Sequence, residues 1–363
     1  MQEKLSYTQA LILLYIVQAG LVLFRFPQVE AQYFGSNGWS ALLICFAAST
    51  LNILMVAGIY KLGQGKSVYD ILERTIPRVL LFPVYFAVVA VWAMMASLAA
   101  KEYIHILKMV AFPTIHSSVF MIVLGLLAYY LYGKGIYSIS KAAIVFLFLT
   151  VWMTLLLLFF FSDFRWSRLT PFLFREGTDY VKGFFNLYPA FLGYELSLVL
   201  FPYSDKKTKL TQAAFMANLY LTLLYVYVSI ICFGVFHYNQ LKHKLFPVLD
   251  LLAAVKFPFM ERIENLFYGF FLFANIVTVA VYYWSAVETG LRIVPKMNRK
   301  LLGFVLIAAA TGVAAIPDTL METEEWLREI GYAGFVVSFG FPLILLAVLP
   351  FQRRKGKSGL EST

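Results

Sequence analysis

Apolar stretches separated by short polar connections fill this chain from end to end. Read for runs bounded by charge, Gly or Pro, it falls into ten candidate spans. They lie near 8–34, 39–62, 79–104, 117–132, 139–162, 184–203, 210–236, 264–288, 301–316 and 332–350. Most approach the roughly 20 residues that a helix needs to cross a bilayer; the fourth and ninth are shorter. The pattern predicts an all-α, polytopic integral membrane protein forming one membrane domain over 1–363. The longest polar connections are 165–182, 237–263 and 317–331. The last carries Asp318, Glu322, Glu324 and Glu325, and predicts a short acidic surface helix.

Composition sharpens this reading. The 363 residues are 61% hydrophobic and 14% charged, against about 45–50% and 25% in an average soluble domain. The mean hydropathy is +0.76. The net charge of +10 would suit nucleic acid if it were clustered on a soluble face. Here the cations stand in small groups between apolar runs, such as Lys206/Lys207/Lys209 and Arg292/Lys296/Arg299/Lys300, which is how membrane proteins encode topology. Alternate connections carry eighteen and eleven Lys and Arg, and the richer set includes both termini, so both are predicted to be cytoplasmic. Met1–Tyr7 carries one Glu and one Lys and precedes a run too long for a cleavable signal. Cys45 and Cys232 sit in apolar runs and read as buried thiols rather than a bridge.

Ten spans with both ends on one side predict two five-helix repeats, about 8–162 and 184–350, followed by a basic tail at 351–363. An odd helix number per repeat inverts one against the other, as in many transporters. The first helix of each repeat should then be interrupted. Span 1 contains Gly20-Leu-Val-Leu-Phe-Arg25-Phe-Pro27, and span 6 contains Pro189…Gly193-Tyr-Glu195…Pro202. Gly costs a helix about 1 kcal/mol and Pro about 3. A mid-membrane charge adds roughly 2.5–3.5 kcal/mol. Such segments persist where the unwound backbone lines a cavity, and freed N–H and C=O groups there suit a zwitterionic amino acid. Close helix packing at Gly and a simple Pro kink is the structural alternative.

Three stretches carry a family resemblance: Gly20-x-x-Leu23-x-x-Phe26-Pro27, Gly193-Tyr194-Glu195…Pro202, and Phe246-Pro247…Phe257-Pro258-Phe-Met-Glu-Arg262-Ile-Glu264-x-Leu-Phe267. The chain resembles the GerB-type spore germination proteins, B subunits of nutrient germinant receptors within the amino acid–polyamine–organocation superfamily. The resemblance spans essentially the whole chain. It implies a leucine-transporter-like fold, and a nutrient of the amino-acid class bound where spans 1 and 6 unwind. It also implies A and C receptor subunits as partners, and residence in the spore inner membrane. Val22, Arg25 and Phe270 depart from the residues usual in such proteins at those positions.

The candidate ligand-binding residues are Gly20, Leu21, Val22, Phe24 and Arg25 at the first break, and Phe191, Gly193, Tyr194 and Glu195 at the second. Arg25 has three readings: a partner for an acidic ligand group, an ion pair with Glu195 across the two breaks, or a snorkelling surface cation. The pair is preferred. In span 8, Asn275, Thr278 and Tyr282 recur at i, i+3 and i+7 on one helical face; interhelical hydrogen bonding is their alternative role. In span 3, Tyr85, Val89 and Trp92 are candidate pocket walls or plain packing. The four histidines lack paired ligand spacing, so no metal site is expected. No cofactor, phosphate loop or nucleophile–base set stands out, and an enzyme is not expected. The rivals are a secondary transporter coupled to H⁺ or Na⁺ with Glu195 as proton carrier, and a channel. A channel would need polar stripes along several helices.

Overall fold

The computed structural model describes residues 3–169, 173–255 and 264–358, with the side chains of all of these except 21, 264, 265 and 351–358. The basic tail and the Phe257–Glu264 part of the third stretch therefore lie outside the described residues or side chains.

Fourteen α-helices and no strands form among the described residues. They are α1 Tyr7–Gln18, α2 Phe26–Phe34, α3 Ala41–Leu62, α4 Val68–Glu73, α5 Arg78–Val110, α6 Ser117–Gly133 and α7 Gly135–Leu155. Then come α8 Tyr180–Leu187, α9 Leu210–Val235, α10 Tyr238–Leu241, α11 Pro247–Ala254, α12 Glu264–Ile293, α13 Arg299–Ala314 and α14 Leu320–Ser358. Six helical stretches are long and apolar enough to cross a membrane: Gly38–Leu62, Arg78–Val110, Gly135–Ser162, Leu210–Val235, Leu266–Ile293 and Leu320–Pro350. Tyr7–Gln18 and Ser117–Gly133 are apolar but shorter. The chain is an integral membrane protein.

Local chemistry sets these ends. A capping box starts α1: the Ser6 hydroxyl accepts from Gln9 N–H (3.2 Å), and the Gln9 side chain accepts from Ser6 N–H (2.8 Å). Gly35, at φ 71°, stops α2, a conformation that glycine adopts without steric cost. Between 188 and 203 there is no α-helix. Three 3₁₀ segments, Tyr188–Phe191, Tyr194–Leu198 and Phe201–Tyr203, replace the single span expected there. The acidic connection near 317–331 is helical as expected. It is continuous with the tenth span rather than a separate surface helix, because nothing between Leu320 and Pro342 interrupts the backbone ladder.

Burial separates centre from periphery. The most apolar stretches of Leu210–Val235 and Leu266–Ile293 are 56% buried, whereas that of Gly135–Ser162 is 17% buried. α1 packs on α9, α7 and α12, and α5 packs on α12 and α14. The outer helices expose large apolar side chains, among them Ile122 and Leu126 of α6, Phe148 of α7 and Val305 of α13, which is stable when the surrounding solvent is lipid.

Candidate functional site

The site begins where α1 stops. After Gln18 the chain turns into a 3₁₀ segment at Leu21–Phe24, and α2 restarts at Phe26 with Pro27 in its first turn. The first bond of the 3₁₀ turn runs from Leu23 N–H to Gly20 O (3.3 Å), so the N–H groups of Leu21 and Val22 precede its ladder. Orphan donors of this kind are what a helix start presents to an anion. Across from it, Gly193 takes φ 124°, a region that side chains with Cβ rarely adopt. A Cβ there would stand 3.0 Å from Gln18 Cγ and from Val17 Cγ1, so the second segment reaches α1 only because this residue is glycine.

Gln18 ties the two segments together. Its Nε2 donates to Phe191 O (2.9 Å) and to Asn218 Oδ1 of α9 (3.3 Å). The Tyr225 hydroxyl of α9 lies 3.1 Å from both Gln18 O and Ala190 O. Thr278 of α12 donates to Ile16 O (3.2 Å), taking up a carbonyl near the end of α1. These bonds satisfy backbone groups that the interrupted helices leave open, as a dry interior requires.

Beside the first break lies a cavity of about 380 Å³. α1 and the 3₁₀ turn contribute Gln18, Gly20 and Arg25; α5 contributes Met95, Ala99 and Glu102; α12 contributes Asn275, Thr278 and Tyr282; and α14 contributes Glu324. Four buried polar atoms on this wall have no hydrogen-bond partner among the described residues: the donor Arg25 Nε and the acceptors Gln18 Oε1, Asn275 Oδ1 and Glu324 Oε1. Leaving such atoms unpaired costs about 1–3 kcal/mol each. Together they offer complementary charge and hydrogen bonds to a small polar molecule.

Of the expected site residues, Gly20, Val22, Arg25, Asn275, Thr278 and Tyr282 line this cavity together. The side chain of Leu21 lies outside those described. Phe24, Phe191, Gly193, Tyr194 and Glu195 form the packed layer behind it. Phe24 meets Phe271 edge-on at 4.7 Å, Phe191 meets Tyr225 at 5.7 Å, and the Tyr194 hydroxyl bonds that of Tyr188 (2.6 Å).

The preferred pairing of Arg25 with Glu195 is overturned. Arg25 reaches Glu324 at the start of α14 (3.0 Å). The Glu195 carboxylate is buried and turned inward, accepting from Gly193 N–H (2.6 Å) and from the Tyr282 hydroxyl (3.2 Å). The acidic connection folds back over the first break, so Arg25 meets a nearer acid that linear order hides.

Tyr85 stands apart from these residues. It packs edge-on against Tyr69 of α4 (5.6 Å) and does not reach the cavity. It precedes Met95 by ten residues, roughly 15 Å along a helix. Val89, near Gly290, and the buried Trp92 are likewise absent from the cavity wall. The sequence reading missed Gln18, Glu102 and Glu324. An acid inside a long apolar helix is a functional signal by itself, and Glu102 carries it, two residues before the end of the span predicted at 79–104.

Comparison with known proteins agrees with this architecture. MhsT, solved in complex with L-phenylalanine, is similar over 96% of this chain and 89% of its own, with a TM-score of 0.69 at 13% identity. A Na⁺-coupled sialic acid symporter is similar over 92% of this chain and 77% of its own, with a TM-score of 0.64 at 13% identity. The shared fold is that of the leucine-transporter-like proteins. Spore germination protein GerQB of Bacillus cereus is 24% identical over 298 residues, 80% of each chain. Spore germination protein B2 of Bacillus subtilis (strain 168) is 21% identical over 370 aligned positions, 99% of each chain. The family model for spore germination proteins, Spore_permease, matches residues 4–323, and the chain belongs to that family.

Proposed function

We propose that this protein is the B subunit of a nutrient germinant receptor and binds an amino acid in the cavity beside the first break. In this reading the chain is a ten-span, 5+5 inverted repeat whose first and sixth helices are broken, with both termini in the cytoplasm. It resides in the spore inner membrane with A and C subunits as partners. The observation that carries the ligand assignment is the set of unpaired polar atoms on residues that line the 380 Å³ cavity. The N–H groups of Leu21 and Val22 and the Arg25 guanidinium suit a carboxylate, and the Gln18, Asn275 and Glu324 oxygens suit an ammonium. A ligand that binds one arrangement of the bundle better than another shifts the population by that difference in affinity, which is the signal.

The test is thermal stabilisation of the purified protein across an amino-acid panel, with Gly20→Leu as control. A Cβ at Gly20 meets nothing within 4 Å, so the longer side chain fills cavity space without backbone strain. One amino acid should raise the melting temperature in the wild type and not in the control. No shift across the panel refutes amino-acid binding by the isolated chain.

A second reading, H⁺- or Na⁺-coupled amino-acid transport, is supported by the fold shared with a symporter and by Glu195. This buried acid is bonded to Tyr282, which itself lines the cavity. Accumulation of the stabilising amino acid in proteoliposomes under an ion gradient distinguishes transport from reception.

A further inference from the structure

A second cavity, of about 560 Å³, lies between α5, α6 and α12. Its walls are apolar, built from Leu107 and Phe112 on one side, Phe120 and Leu127 of α6 on another, and Leu272 of α12. The Tyr103 hydroxyl is used within the wall, donating to Tyr268 O and tying α5 to α12. A Cβ at Gly269 would meet nothing within 4 Å, so the slot runs up to the α12 backbone. It opens outward between Phe112 and Leu127, both 43% exposed, on the face where α6 presents Val119, Ile122 and Leu126. For a membrane protein that face meets lipid.

Polar groups stand next to this lining, where α5 gives way to α6. Lys108 follows Leu107 on α5, and its Nζ donates to Ser117 Oγ at the start of α6 (3.1 Å). Among the described residues it has no carboxylate partner. His116 caps α6, accepting from Ser118 N–H. One cation beside a dry slot, one residue from Leu107 and bonded one turn before Phe120, matches one molecular shape, an acyl chain carrying an anionic head.

We propose that this slot binds an anionic glycerophospholipid, with one acyl chain between α5, α6 and α12 and the phosphate on Lys108. Moving a chain from bilayer to slot leaves its apolar surroundings unchanged. The preference therefore comes from dispersion contacts along the slot wall and from the phosphate–ammonium contact.

The test uses full-length protein stripped of lipid in detergent, read by native mass spectrometry and by thermal melts. Dioleoyl-phosphatidylglycerol and dioleoyl-phosphatidylcholine are the probes, and no nutrient is needed, so the outcome is independent of the amino-acid assignment. Phosphatidylglycerol should remain bound and raise the melting temperature by about 3–5 °C at saturation. Gly269→Leu should melt like the lipid-free wild type and lose both retention and shift. Lys108→Gln should retain both lipids equally. If Gly269→Leu fails to fold, Leu127→Trp blocks the same slot from its lipid side and should show the same loss. Equal stabilisation by the two lipids in the wild type, or undiminished retention in the folded slot-filling variant, overturns the proposal.

Discussion

The Arg25–Glu324 contact gives a quantitative test of how the acidic start of α14 holds the first break. The guanidinium stands 3.0 Å from Glu324 Oε2, with side-chain exposures of 30% and 11%. At an effective dielectric of 20, unit charges at that distance attract by about 5–6 kcal/mol. Water at Arg25, side-chain entropy and lost hydration remove most of this, leaving about 1–2 kcal/mol. Arg25→Gln also leaves Glu324 facing Glu102, a second acid within electrostatic range of both residues. Each single variant should lower the melting temperature by about 1–3 °C, and the double variant with Glu324→Gln should lose less than the sum. Cys45 and Cys232 are free and buried, so a thiol-reactive dye reports unfolding directly. A parallel cycle of Arg25→Gln with Glu195→Gln should be additive, since Glu195 is held by Gly193 and Tyr282 instead. Additive losses in the Glu324 cycle, or coupling in the Glu195 cycle, would refute the pairing.

Gly193→Ala should destabilise the protein by about 2–4 kcal/mol, because it combines positive-φ strain with contacts at 3.0 Å. Gly20→Ala, with φ −73° and open space around it, should melt within about 1 °C of wild type. Gln18→Leu removes donors from Phe191 O and Asn218 Oδ1 and should cost about 1–3 kcal/mol, read as a lower melting temperature. Asp205, in the connection before α9, accepts from Thr208 N–H, Thr208 Oγ1–H and Lys207 N–H, and the Thr208 backbone bond leads in holding its pKa below the usual carboxylate range. Its contribution is therefore present above the unfolded carboxylate value and lost as pH falls through the lower folded value. Amide exchange at Lys207 and Thr208, corrected for the intrinsic pH dependence, should accelerate as pH drops below about 4. Asp205→Asn should remove that pH dependence.

Much of this molecule was readable in advance from the chain of apolar runs. Spans near 39–62, 117–132 and 210–236 appear as α3, α6 and α9 within a few residues at either end, because charge, Gly and capping residues act locally. Gly, Pro and an ionisable residue clustered near 20–27 and 189–202 pointed to the segments where the ladder changes to 3₁₀ turns. The i, i+3, i+7 face of α12 was legible for the same reason: helical geometry alone puts Asn275, Thr278 and Tyr282 on one side.

Partner choice was not legible. Arg25 and Glu195 carry opposite charge on matched motifs, yet Arg25 meets an acid 299 positions away in sequence, whereas Glu195 is satisfied by its own turn and by α12. Depth along a helix was equally hidden. Tyr85, Met95 and Glu102 share α5, but only the stretch from Met95 onward reaches the first cavity. The sequence by itself determined membrane residence and the helical class and marked two segments that form 3₁₀ turns, because those depend on transfer free energy and backbone propensity, which are properties of neighbouring residues. The tertiary structure decided which polar residues line the cavity and which are consumed in the wall, because hydrogen-bond and ion-pair partners are settled by distances between helices that no local pattern encodes.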